Sequence, residues 1–338
     1  MQKEKLRDWW LKHIQELIKI KIDNKDISIN SFTYKEVYPY KKEEAYHTIK
    51  KLVIYKYYVD IYTRIISKRY KNFYYFDLFA GSGIVQVSIG NINLNLFGSA
   101  LISVLKPIKR FNKYVYVEID EKKYNSLRNL LRRIKENYIK DLDYQPLNVD
   151  MNNINAYHDF FDQCEHALVV VDPEGLEPKW ATMEKILKHN CDVLITYMEE
   201  GIQRVIGKAK NNPKDKETLE NFLGSSIDPN KITPEEFKEK YIEQIRKTGK
   251  EAIKTIEAKS KYYSYDIIIA TRKTKGENPW LRFVEELRKK LEIKDETLKV
   301  IIEQLLGKQK TFNNHTHQNN GKAYYSLSKT FKLEVRKV

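Results

Sequence analysis

The sequence predicts an α/β protein with a mostly parallel sheet ending in an antiparallel hairpin, and three observations predict it. Short, near-continuous apolar runs recur at 73–79, 114–119 ("YVYVEI"), 144–149, 167–172 ("ALVVVD") and 191–197 ("CDVLITY"). Helix-periodic stretches separate them, at 98–105, 121–137, 151–162 and 180–189. Strands apolar on both faces and joined by helices are the mark of a parallel sheet covered on both sides. The third observation is Gly81-Ser82-Gly83, a glycine turn directly behind the first strand and its carboxylate, Asp77.

The other elements follow in chain order. Leu6, Trp9, Trp10, His13, Leu17 and Ile20 fall at helical spacing, so residues 3–21 read as an amphipathic helix in an N-terminal extension, 1–42. A second helix is expected over 43–67, opening the main domain, 43–273. Residues 199–254 read as a helical insertion suited to target recognition, broken at Pro213 and restarted at Thr233-Pro234-Glu235-Glu236. Residues 255–273 read as two strands joined near Tyr263-Ser264. The tail, 274–338, is expected to hold helices near 279–291 and 295–306, then strand-like "AYYSLS" and "FKLEV", a basic appendage resembling a winged helix.

Composition narrows the class. The chain has 338 residues, 41% apolar and 32% charged, enough for a substantial core. No apolar run approaches the ~18 residues that span a bilayer, and "MQKEKLRDWW" lacks the apolar centre of a signal peptide. No membrane association and a cytoplasmic location are expected. Cys164 and Cys191 form no C-x-x-C pair, and His315 and His317 sit in a polar loop, so no metal site is expected. The formal charge of +15 is uneven: +8 over 1–75, −4 over 76–200 and +11 over 201–338. A mildly acidic middle between basic flanks fits chemistry in the middle and a nucleic-acid partner on the flanks, DNA or RNA left open.

The glycine turn carries the chemistry. Position 86 is Gln86, so the third glycine of the dinucleotide fingerprint is missing, and Asp77 would repel a pyrophosphate. A cofactor with an ammonium and no phosphate suits both features, and S-adenosyl-L-methionine has both. Its ribose needs an acceptor at the end of the second strand, where Glu118 stands, with Asp120 two residues on. The 35 residues from Gly83 to Glu118 exceed the ~20 of the dinucleotide motif, and a loop at 88–98 is expected to hold the excess. Asp150 ends the third strand, where the adenine amino group would lie. Asp172-Pro173-Glu174-Gly175 follows the fourth, where the methyl group would point. The expected cofactor site is Asp77, Phe79, Ala80, Gly81, Gly83, Glu118, Ile119, Asp150, Met151 and Asp172, with Asp172, Pro173 and Glu174 on the catalytic side.

"YFDLFAGSG", "FGSALISVL", "YVEID", "NVD" and "VVDPEG" together resemble the three-Cys-motif partner proteins, a branch of the Rossmann-like class I methyltransferase fold. The resemblance runs from about His47 to Thr271. It implies a S-adenosyl-L-methionine site and a partner carrying a three-cysteine motif. Cytosine-C5 chemistry is disfavoured because neither cysteine follows a proline in the strand-four loop. Transfer to nitrogen fits better, with Asp172 or Glu174 orienting or deprotonating an amine. The loop departs from an Asp-Pro-Pro-aromatic pattern at Glu174-Gly175; Trp180 or Tyr197 would then supply the stack on a flipped base. A catalytically silent subunit and a plain nucleic-acid-binding module stay open as alternatives.

Overall fold

The computed structural model describes residues 2–22, 25–32, 40–43, 46–259, 264–273 and 279–306. α1 (Gln2–Ile18) leads into β1 (Lys19–Ile22) and β2 (Lys25–Ser28), an antiparallel ribbon, and then β3 (Tyr40–Glu43). α2 (Tyr46–Ile66) precedes β4 (Phe73–Asp77), which is followed by β5 (Ile84–Ile89) and β6 (Ile92–Phe97). α3 (Ser99–Leu105), β7 (Lys113–Val117), α4 (Glu121–Asn137), β8 (Tyr144–Leu147), α5 (Asp159–Asp162) and β9 (His166–Val171) continue the alternation. α6 (Trp180–Lys188) and β10 (Cys191–Tyr197) come next, then three helices, α7 (Glu199–Ala209), α8 (Pro213–Leu223) and α9 (Pro234–Lys247). β11 (Ala252–Lys259), β12 (Ser264–Thr271), α10 (Pro279–Lys290) and α11 (Asp295–Leu305) complete the described chain.

Seven strands form the main sheet in the order β11-β12-β10-β9-β4-β7-β8. Every neighbour pair from β10 to β8 is parallel, while β12 runs antiparallel to both β10 and β11. One reversed strand wedged in beside the edge strand, with β9 central and β4 next to it, is the arrangement of the class I methyltransferase fold. The chain runs outward from β4 through β7 to β8, then returns to β9 on the other side. The strand order therefore reverses between β4 and β9, and a ligand crevice is expected at their carboxyl ends.

Alternation along the strands divides the core in two. Tyr75, Leu168, Val170 and Leu194 face the layer of α1, α2, α3, α4, α10 and α11. Phe76, Val169, Val171 and Val193 face the layer of α6 to α9. β4, β9 and β10 are buried along their whole length, which explains their unbroken apolar sequences. α2 is clamped to the sheet by three tyrosines one helical face apart. Tyr55 Oη lies 2.6 Å from Thr196 Oγ1, Tyr58 donates to Asp192 Oδ2 at 3.1 Å, and Tyr62 Oη lies 2.8 Å from His166 Nδ1.

Several boundaries differ from the sequence reading. The first helix stops at Ile18 because Lys-Ile-Lys-Ile alternates with the period of a strand and pairs with Lys25–Ser28. The segment 88–98, expected as a loop, is most of a β5–β6 hairpin whose β5 also pairs with β3. Residues 151–162 hold only a 3-10 turn at Ile154–Ala156 and the single turn of α5. The helical run after 199 ends at Lys247, and β11 begins at Ala252. The helix start at Thr233 is a full capping box with Pro234 in the first turn, as its sequence implied. α7 to α9 bury Leu219, Phe237 and Tyr241 completely and thus form part of the sheet's own cover. α10 joins the other layer, where Trp10 Nε1 donates to Lys290 O at 2.8 Å. The strand-like "AYYSLS" and "FKLEV", with His315 and His317, lie outside the described residues.

Candidate active site

A cavity of about 350 Å³ opens at the carboxyl ends of β4, β7 and β9, the place the strand order marks. Its floor is the turn after β4. Gly83 holds φ +85°, and a Cβ there would sit 3.1 Å from the terminal methyls of Leu127 and Leu130, so only glycine closes the turn over α4. The chain then leaves through the β5–β6 hairpin and comes back at Gly98, whose N–H donates to Gly83 O at 2.8 Å. A Cβ on Gly98 would lie 3.0 Å from that same oxygen. The hairpin is therefore an insertion whose two ends touch, and Gly98-Ser99 at the start of α3 completes a turn begun at Gly81.

Glu118 ties the second strand to this floor. Its Oε2 accepts from Gly81 N at 2.8 Å and its Oε1 from Asp120 N at 2.9 Å. Burial pushes its carboxyl upward, opposed by the N–H of Asp120, the charge of Lys123 and the N–H of Gly81. Asp120 also caps α4 by accepting from Lys123 N, and the Ile119 side chain between the two acids is 64% exposed.

Asp77 is buried completely, with Phe79 N at 3.3 Å and Tyr75 Oη at 3.4 Å as donors at the long end of hydrogen bonding. Burial raises its carboxyl to about 7; the negative charges of Asp172 and Glu118 add to the rise, while hydrogen bonds from Ser99 and Phe79 oppose it. An acid held this way is a receptor for a cation.

Both Asp172 oxygens face Lys51 Nζ, at 2.7 and 2.8 Å. Lys51 comes from α2 and also sits 5.9 Å from the centre of the Tyr265 ring. Pro173 is buried, whereas Glu174 is exposed with Lys123 Nζ at 3.7 Å.

The cavity thus gathers Phe79, Ala80, Gly81, Gly83, Glu118, Ile119, Asp172, Pro173 and Glu174, with Asp77 directly behind its floor. Besides Asp77, two expected residues do not line it. Asp150 is exposed, its Oδ1 accepting from Asn152 N at 2.8 Å and from Asn152 Nδ2 at 3.0 Å. Met151 is buried in the α6–α9 core. Trp180 and Tyr197 are also buried there, against Tyr241.

Sequence reasoning missed the wall formed by Thr48, Lys51 and Leu52 of α2. Thr48 Oγ1 is buried without a hydrogen bond among the described residues. Its signal was present: Thr48, Lys51 and Leu52, at i, i+3 and i+4, share one face of the helix just before the first sheet strand. Gly98 and Ser99 were missed because fourteen residues lie between Gly83 and Gly98 in sequence. Among the described residues, no three His, Cys, Asp or Glu side chains are grouped to hold a metal ion. No described helix is long and apolar enough to cross a membrane.

No family model matches this chain, and no curated protein matches it. Solved structures do. Protein LPL1258 from Legionella pneumophila aligns with TM-score 0.46 and 13% identity over 76% of this chain and 92% of its own. Trm1 from Pyrococcus horikoshii, solved with S-adenosyl-L-methionine, aligns with TM-score 0.40 and 10% identity over 76% of this chain and 62% of its own. Magnesium protoporphyrin IX methyltransferase from Synechocystis, solved with the same cofactor bound, aligns with TM-score 0.34 and 10% identity over 68% and 85%. The fold assignment stands on the strand order.

Proposed function

We propose that this chain is a cytoplasmic S-adenosyl-L-methionine-dependent methyltransferase that acts on a nitrogen of nucleic acid together with a three-Cys-motif partner protein. One observation carries the reading: Asp77, Glu118 and Asp172, from the ends of three neighbouring strands, converge on one glycine turn. Three carboxylates would repel a dinucleotide pyrophosphate, whereas a cofactor with an ammonium, ribose hydroxyls and a sulfonium suits them. The residues fit that cofactor, since among the described residues Asp77 is a buried acid without a cation at hydrogen-bond distance and Thr48 a buried hydroxyl without a partner.

Bound there, S-adenosyl-L-methionine supplies a methyl group activated on sulfur. Asp77 balances the ammonium. Glu118, with one lone pair on each oxygen beyond its backbone bonds, accepts from ribose hydroxyls, and Ile119 offers an apolar surface to the adenine. Asp172 accepts a hydrogen bond from the acceptor amine and orients its lone pair, with Glu174 at the open side to take the proton. The nucleic-acid assignment is supported by the +15 charge and by exposed Lys122, Arg128, Arg132, Arg133 and Lys135 on α4, the helix that begins beside Glu118. The resemblance in "VVDPEG" and "YFDLFAGSG" supports the partner.

A second reading is favoured by one observation, the occupation of both Asp172 oxygens by Lys51. It makes the chain a silent methyltransferase-fold subunit. Calorimetry with S-adenosyl-L-methionine on the wild type and Glu118→Ala tests the cofactor, and labelled methyl transfer to DNA, RNA and the partner tests the enzyme. Micromolar binding weakened by the substitution, followed by transfer to one acceptor, is expected. Binding without transfer to any of the three selects the silent subunit, and no binding by folded wild type overturns the cofactor site.

A further inference from the structure

Five carboxylates line the cleft with Asp77 behind its floor, and among the described residues the cation paired with Asp172, at the end of β9, comes from outside the alternating strand–helix units. Lys51 Nζ bridges both oxygens of Asp172 at 2.7 and 2.8 Å, and the two side chains are only 12% and 15% exposed. The other lysine of the cleft, Lys123, lies 3.7 Å from Glu174, which is far more open at 56%. Lys51 cannot be withdrawn with its helix. α2 is fastened by the hydrogen bond from Tyr265 Oη to His47 O and by the tyrosine contacts to Thr196, Asp192 and His166. The ammonium can leave Asp172 only by rotating its own flexible stem.

We infer that Lys51 is a specificity-determining residue of this cleft, which sets its preference between a positively charged methyl donor and the neutral demethylated product. The inference rests on the methyltransferase reading. Donor and product share every group except the methyl, and with it the charge on sulfur. The difference in their binding therefore reads the electrostatic potential at the point of transfer. Without the Lys51 ammonium, Asp172 makes that point more negative and favours the donor. Paired with Lys51, its field is largely cancelled, so donor and product are held alike. The same pair keeps Asp172 from an acceptor amine until Lys51 turns away, and a phosphate on an arriving nucleic acid is the anion suited to draw it off.

Calorimetry with S-adenosylmethionine and S-adenosylhomocysteine on four proteins tests this: wild type, Lys51→Met, Asp172→Asn and the double variant. The donor-to-product affinity ratio should rise about tenfold in Lys51→Met, fall about tenfold in Asp172→Asn and return to within threefold of wild type in the double variant. Near-ultraviolet circular dichroism checks the fold, and Lys51→Gln replaces the methionine variant if that one fails to fold. A ratio that stays within twofold of wild type in the Lys51 variants, with both ligands bound, overturns the inference and leaves the methyltransferase reading intact. Absence of binding by all four folded proteins overturns both.

Discussion

Glu118 Oε2 accepts the backbone N–H of Gly81 at 2.8 Å, so the acid that ends one strand fixes the turn that ends its neighbour. The carboxylate is a structural brace and a ligand acceptor at once. Removing it frees a turn whose shape the cofactor needs and strips two backbone N–H groups, those of Gly81 and Asp120, of their partner.

Glu118→Ala is therefore expected to lower stability by about 1–3 kcal/mol as well as to weaken the cofactor. Glu118→Gln keeps one acceptor oxygen and should lose less stability while still losing affinity. Urea titrations beside calorimetry separate the two effects. Unchanged stability in Glu118→Ala would show that the brace is not needed.

Asp77 gives the apo protein a pH signature. Its folded value of about 7 lies above the ordinary 3.8, so the folded state holds the proton more tightly than the unfolded chain. This contribution is fully present below 3.8 and is lost as pH rises through 7. Between pH 5 and 6.5 the group should make stability fall by about 1.4 kcal/mol per pH unit. Asp77→Asn should remove that slope. Cofactor affinity moves the other way, strengthening as pH rises through 7 and the carboxylate becomes available to the ammonium. A wild-type slope equal to that of Asp77→Asn would refute the raised value.

Tyr58→Phe tests the clamp on α2. It deprives Asp192 of one donor while leaving Thr271 Oγ1 on the carboxylate. A loss of about 1–2 kcal/mol is expected, with cofactor affinity within twofold. Equal loss of both would mean that the helix positions the cleft more directly than its contacts indicate.

Gly98→Ala places a methyl 3.0 Å from Gly83 O and should push the hairpin's return away from the turn. Cofactor affinity should fall at least tenfold, more than in Gly207→Ala, whose added methyl meets nothing within 4 Å. Equal binding by the two variants would remove Gly98 from the site.

Much of this molecule was legible because its strands are buried on both faces. Continuous apolar runs such as Val169-Val170-Val171 cannot sit elsewhere, and an acid directly after them has to lie at the sheet's end. The capping box at Thr233 was legible because it is local. What escaped was non-local. Val87 and Ile89, then Ile92, Leu94 and Leu96, alternate as strand residues do, but weakly, among asparagines and a serine. Lys51 read as one polar position on a helix, and only tertiary packing sets it against Asp172, 121 residues later. Asp150 shows the converse, since a carboxylate at a strand end can turn outward to its own loop.

The touching ends of the β5–β6 hairpin have a consequence for how this protein can be altered. Gly83 and Gly98 already meet as neighbours in a continuous chain nearly would, so the segment between them is a graft and the sheet closes without its help. Its β5 is also the partner of β3, far upstream, and so the graft links the chain's beginning to the rim of the cleft. A short linker in its place would leave the nucleotide-type turn standing while severing that link, which makes excision a way to ask what the N-terminal region tells the site.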